Sequence, residues 1–243
     1  MWFDVFVFVT AIAAAGVAAV TGFGVGSLLT PTLGLAVGTK VAVAAVSVPH
    51  LIATAIRFWM LRGGVDRRVL WRFGLPSAAG GLSGALLHGW ASTPWLTIVF
   101  GVLLVFVAGS ELTGLARRLR FHGAVAWIAG ALSGLLGGLV GNQGGIRSAA
   151  LLGFDLPKRT FVATATAVGL IVDGARMPVY LITAREEVQT VWITVLVAIA
   201  GVVLGTVFGA RVLSRIPEAK FRPVVALVLA ALGAAMLIQG VRQ

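Results

Sequence analysis

The sequence has no cysteine and only 8 acidic residues among 243. Without thiols there is no disulfide framework, no thiolate metal site and no haem attachment through CxxCH. Charged residues of either sign make up 11%, against roughly 25% in an ordinary soluble domain, so a water-facing surface cannot be built from this chain. Catalytic parts are missing as well. Three histidines (His50, His88 and His122) occur without HExxH, GxSxG or a DxD-like acid pair, so metal, serine and aspartyl chemistry lack their components. The reading is therefore not an enzyme, with no cofactor and no metal.

What is present is apolar: 59% hydrophobic residues and a mean hydropathy of +1.02. Apolar stretches recur along the whole chain, separated by short basic or Gly/Pro-bearing breaks, which indicates an all-α polytopic membrane protein. Runs such as 190–210 and 223–241 lack the alternation of a barrel strand. Single spans are expected near 41–61, 73–90, 95–112, 124–141, 160–184, 190–210 and 223–241. The stretch 3–38 is too long for one helix and breaks at Gly22–Gly26, and the region after 124–141 breaks at Gly141–Gly145. Each is read as a helix followed by a re-entrant half-helix. The N-terminus, Met1 to Asp4, has no positive n-region and reads as a retained first helix.

The net charge of +11 would suggest nucleic acid in a soluble protein, but here the charges sit between apolar runs, so no nucleic-acid partner is expected. Four basic groups belong on the cytoplasmic side: Arg62, Arg67, Arg68 and Arg72; Arg117, Arg118 and Arg120; Lys158 and Arg159; and Arg211, Arg215, Lys220 and Arg222. The 91–94 loop is neutral and 185–187 is Arg-Glu-Glu, so both read as outside, which leaves both termini outside. All seven tryptophans (Trp2, Trp59, Trp71, Trp90, Trp95, Trp127 and Trp192) fall near a proposed helix end, as an aromatic belt at the lipid interface requires.

The chain also matches itself. Gly22–Phe58 aligns without gaps on Gly141–Met177, pairing Gly22/Gly141, Gly26/Gly145, Leu33/Leu152, Gly34/Gly153, Val43/Val162, Leu51/Leu170 and Arg57/Arg176. Each repeat holds a returning hairpin and three further crossings, an odd parity that inverts the second. This gives two inverted repeats, 1–120 and 121–243, each a helix plus re-entrant half-helix followed by three transmembrane helices. Broken segments at corresponding positions of inverted repeats point to a secondary transporter with its substrate near the midplane.

A half-helix that starts inside a membrane presents free N–H groups and partial positive charge, which suits an anion. Gly22, Gly24, Gly26, Gly141, Asn142, Gln143, Gly144 and Gly145 are therefore candidate binding residues. Glycines elsewhere, such as Gly80, Gly81, Gly84, Gly201 and Gly205, read as helix-packing positions. Helix 41–61 carries Ser47, His50, Thr54 and Arg57 on one face, and the equivalent face of 160–184 carries Thr166, Gly169, Asp173 and Arg176. Arg57, Arg147 and Arg176 against the single acid Asp173 leave positive charge over, which a small anionic substrate would neutralise. Alternatives stay open at three of these: Arg57 snorkelling to the basic loop, Arg176 pairing only with Asp173, and His50 as a packing residue or a proton relay. A coupling proton or ion is a further partner that such a transporter admits. Arg57 is expected nearer the inside and Arg176 nearer the outside, as basic entrances to one site.

The segment Gly22-Phe23-Gly24-Val25-Gly26-Ser27-Leu28-Leu29-Thr30-Pro31 and its mate Gly141-Asn142-Gln143-Gly144-Gly145 are each followed by a basic residue, Lys40 or Arg159, and an Ala/Thr/Val-rich helix. In these features the chain resembles the sulfite exporter TauE/SafE family over essentially its whole length. The resemblance implies a bacterial or archaeal cytoplasmic-membrane transporter of sulfite, sulfoacetate or related organosulfonates. An anion channel is the competing reading and an intramembrane enzyme a more distant one; oligomeric state is left open. The topology has a direct test: cysteine introduced at Thr93 should react with an impermeant reagent from outside and cysteine at Val69 should not, and labelling of both from one side would overturn it.

Overall fold

The computed structural model describes residues 2–22, 24–115, 124–213 and 218–243. Phe23, the cluster Arg117, Arg118 and Arg120, His122 and Arg215 lie outside the described residues. The described elements are all helical. In chain order they are α1 (Trp2–Thr21), α2 (Val25–Val37), α3 (Thr39–Leu61), a 3-10 turn (Arg62–Gly64), α4 (Arg67–Trp90), α5 (Thr93–Thr113), α6 (Ala124–Val140), α7 (Gly144–Leu152), α8 (Lys158–Thr183), α9 (Arg185–Thr190), α10 (Trp192–Leu213) and α11 (Glu218–Arg242). Six helices, α1, α3, α5, α8, α10 and α11, contain stretches long and apolar enough to cross a membrane. By length alone α4 would qualify, but its arginines, glycines and His88 make it less apolar, and α6 has 17 residues.

The two breaks share one mechanism. Gly22 and Gly141 donate their N–H groups to Ala18 and Gly137, closing the last turn of α1 and α6, and then take left-handed φ values of 81° and 74° that side chains disfavour. α1 and α6 end at 21 and 140, α2 and α7 begin at 25 and 144, and α3 and α8 begin at 39 and 158. All three pairs of boundaries carry the separation of Gly22 from Gly141.

Two sequence expectations are corrected in detail. Arg67, Arg68 and Arg72 are not in a loop but on the first turns of α4, because Asp66 caps that helix by accepting the Val69 N–H at 2.9 Å. The segment 185–187, read as a loop, opens the short helix α9.

Packing pairs helices that are distant in sequence: α1 against α10, α4 against α6, α5 against α11 and α3 against α8. Glycine makes the first two contacts backbone to backbone. A Cβ at Gly134 would lie 1.8 Å from the Ser77 carbonyl oxygen, and one at Gly84 2.1 Å from that of Leu135, so α4 and α6 meet without intervening side chains. Between α1 and α10, a Cβ at Gly205 would lie 2.3 Å from the Ile12 carbonyl. Lipid tails compete equally for apolar side chains, so close backbone approach supplies what hydrophobic burial supplies in water. The outer surface is correspondingly apolar, with all seven tryptophans exposed near helix ends, while Arg57, Arg147, Asp173 and Arg176 are buried.

Gly134→Ala should therefore cost roughly 1–3 kcal/mol through overpacking, read as a lower unfolding temperature in detergent. Gly109→Ala, at a position with open space in α5, should cost nothing. Equal effects would show that the glycine seam is not limiting.

Candidate functional site

The two breaks meet each other. A Cβ on Gly26, in the first turn of α2, would lie 2.1 Å from the Gly141 carbonyl oxygen, and the Ser27 hydroxyl donates to Asn142 Oδ1 at 3.0 Å. Between them is a narrow cavity of about 10 Å³. Gly22, Gly24, Gly26 and Ser27 line it from one break, and Gly141, Asn142, Gln143 and Gly144 from the other. His50, Arg57 and Arg147 complete the wall.

The first ladder bonds of α2 and α7 are Leu28 N–H to Gly24 and Arg147 N–H to Gln143. The N–H groups of Val25, Gly26 and Ser27, and of Gly144, Gly145 and Ile146, therefore precede the ladder and have no intrahelical acceptor. Two helix N-termini, each a partial positive charge, converge on one small volume.

Side-chain donors add to this. Arg147 uses Nη2 to donate to the Gly22 carbonyl at 2.9 Å, and Arg57 uses Nη2 to donate to Thr54 Oγ1 at 3.2 Å. Nε and Nη1 of both arginines, Asn142 Nδ2 and both amide atoms of Gln143 are buried without a hydrogen-bond partner among the described residues. A buried unsatisfied polar group costs about 1–3 kcal/mol, more when charged, so their concentration here makes this cavity the candidate site. Gly169 explains how Arg147 fits: a Cβ there would lie 2.8 Å from its Nη1. His50 occupies the equivalent position of α3, so glycine in its place on α8 makes room for a guanidinium.

The buried acid is already committed. Asp173 Oδ2 lies 2.7 Å from His50 Nδ1, and Oδ1 lies 2.8 Å from Arg176 Nη2. Arg176 also donates to the Gly137 carbonyl, Tyr180 to that of Gly138, and His88 Nδ1 lies 2.8 Å from that of Leu139. These three side chains satisfy the last turn of α6 just before its break. Among the described residues no three His, Asp or Glu side chains gather as a metal site would need.

Of the residues singled out from sequence, ten line the cavity, whereas Ser47, Thr54, Gly145, Thr166, Asp173 and Arg176 do not. Ser47 turns to Met177, its hydroxyl 3.3 Å from the sulfur. Thr54 braces Arg57, Gly145 packs on Val107, and the Thr166 hydroxyl is buried without a partner among the described residues. Arg57 and Arg176, expected as entrances on opposite sides, are both buried, 4% and 1% exposed. Sequence reasoning missed Ser27, His88 and Tyr180. Tyr180 was within reach, since it extends the Asp173 and Arg176 stripe by one more helical step.

A family model described as Sulfite exporter TauE/SafE matches residues 7–236, which include both breaks and every residue of the cavity. The chain belongs to this family. It is a multi-pass membrane protein of the TauE/SafE transporters, whose membership implies anion export and a small anionic substrate. No curated protein and no solved structure matches it.

The two paired arginines should behave oppositely. Arg176→Gln removes the cation from a buried carboxylate and should cost about 3–5 kcal/mol of stability, whereas Arg57→Gln removes a guanidinium with two unpartnered nitrogens and should leave the unfolding temperature in detergent unchanged or raised. A loss at Arg57 as large as that at Arg176 would contradict this assignment.

Proposed function

We propose that this TauE/SafE protein is a secondary transporter that carries a small sulfur-containing or organic anion, of the sulfite, sulfoacetate or organosulfonate type, by alternating access. The observation that carries the reading is the pair Arg57 and Arg147: two buried guanidiniums with unpartnered N–H groups beside two helix N-termini, while Asp173 is taken by His50 and Arg176. Two positive charges are left uncompensated, which matches an oxyanion of two negative charges. Guanidinium N–H pairs suit the oxygen geometry of sulfonates and carboxylates. Asn142 and Gln143 would complete its hydrogen bonds.

In this reading residues 1–120 and 121–243 are inverted repeats, α2 and α7 are re-entrant half-helices, and both termini lie outside. The recurrence of the helix boundaries at one separation supports it, as does the exchange of packing partners, α1 with α10 and α4 with α6. A carrier is favoured over an anion channel because the cavity is narrow and closed in by both breaks, with room at its present width for about one water.

The test is binding of sulfite, sulfate, thiosulfate, sulfoacetate, taurine and carboxylate controls to purified protein, read by thermal shift. At least one sulfur oxyanion should stabilise the protein. Arg147→Gln should weaken that anion more than tenfold, the equivalent of losing a charged hydrogen bond of about 1.5–3 kcal/mol, and Gln143→Leu should weaken it less. Wild-type affinity in a folded Arg147→Gln variant would remove this site.

A further inference from the structure

His50 is the histidine whose ring borders the cavity. Asp173 accepts a hydrogen bond from its Nδ1 at 2.7 Å, and Arg176 holds the other carboxylate oxygen. Nδ1 therefore keeps its hydrogen whether the ring is neutral or cationic, and Nε2 is the atom at which the ring gains or loses a proton. Cδ2, the ring atom next to Nε2, lies 3.8 Å from where a Cβ on Gly26 would stand, so this edge of the ring faces the first turn of α2 at the junction of the breaks. An imidazole oriented by a carboxylate, with its second nitrogen toward a cavity, has the arrangement of a proton carrier.

The charged groups around it come from three helices. Arg57 is on its own helix α3, Asp173 and Arg176 are on α8, and Arg147 is on α7; at the cavity the first break and α2 present Gly22, Gly24, Gly26, Val25 and Ser27 and no charged side chain among the described residues. Asp173 and Arg176 offset each other. Arg57 and Arg147 do not, and without an anion they oppose a third cation. An arriving anion neutralises them and offers an oxygen to an Nε2–H donor.

We propose, resting on the anion reading above, that His50 is a proton-binding site and that the anion travels with one proton carried on Nε2. The proton comes from water on the loading side, forms an N–H bond with the ring lone pair while the anion is bound, and returns to water with the anion on the far side. No oxidant, reductant or other group is consumed. Because proton and anion favour each other's binding by the same factor, the two are loaded together and move in the same direction, as a symporter requires.

The test is calorimetry of anion binding in buffers of different ionisation enthalpy. Sulfate and sulfoacetate are used because both are fully ionised at about pH 7.5, well above the usual carboxyl range, so any proton taken up belongs to the protein. The wild type should take up a proton, approaching about one per bound anion at saturating linkage. His50→Gln, which keeps a donor for Asp173, should bind the anion more weakly and, at concentrations that saturate it, without that uptake. Binding by the wild type with no proton uptake, or equal uptake in His50→Gln, would overturn the proposal while leaving the anion site standing. Failure of both, together with every other anion of the thermal-shift panel, to bind would instead overturn the anion reading and the proton site with it; where another anion of that panel binds, the calorimetry is run with it and the same two outcomes decide. Should His50→Gln not fold, wild-type proteoliposomes decide: an inward sulfoacetate gradient should acidify a lumen loaded with a pH-sensitive dye, and sulfoacetate flux without acidification overturns the coupling.

Discussion

A helix interrupted inside an apolar medium leaves carbonyls at one end and N–H groups at the other with no water to satisfy them. Much of the buried polar inventory follows from that constraint. The carbonyls of Gly138 and Leu139 are met by Tyr180 and His88 and that of Gly22 by Arg147, while those of Gly137 and Gln143, which already accept the Gly141 and Arg147 N–H groups, take a second hydrogen bond from Arg176 and Ser133. His88 extends the network, because its other ring nitrogen lies 3.2 Å from the Lys40 carbonyl while Lys40 Nζ donates to Gly89. The N–H ends receive no such treatment. They open on the cavity, where in the proposed reading the donors left free at each break recognise the anion.

The helix boundaries at the two breaks recur at one separation, while the side chains at equivalent positions diverge. Arg176 is held by Asp173, but the position equivalent to Asp173 is Thr54, whose hydroxyl cannot neutralise a guanidinium, and Arg57 is left with two unpartnered nitrogens. His50 has Gly169 as its counterpart, and Arg147 has Leu28. Each difference moves charge in one direction: one arginine is locked into the scaffold, and two others are turned toward the junction of the breaks. In the proposed reading a repeated fold supplies the geometry, and local substitution supplies the polarity of the site.

Much of this was legible in the chain itself. Hydropathy and the tryptophans located the long helices to within a few residues, because both report directly on the lipid boundary. The glycine breaks and the stripes carrying Arg57 and Arg176 were visible because each follows a local rule of spacing. Asp66 was overlooked as a cap, which displaced the start of α4 by six residues, since a cluster of arginines masks a helix start in a hydropathy profile. The roles of His88, Ser27 and Gly169 were not legible. His88 reaches Leu139 across 51 residues and Ser27 reaches Asn142 across 115, and no local pattern records such pairings. Gly169 is informative only as a space, and a space is defined by the guanidinium that fills it.

Arg57 and Arg147 also bear on what the protein must refuse. A membrane that stores energy as a voltage and an ion gradient loses both through any pathway that conducts cations, and a buried cavity between helices is a weak point in that insulation. Two unneutralised guanidiniums behind low-dielectric walls form an electrostatic barrier there, repelling sodium, potassium and hydronium alike. In the proposed reading that barrier falls only when an anion enters the cavity, so the charges that would recognise the cargo also keep the unloaded protein electrically tight.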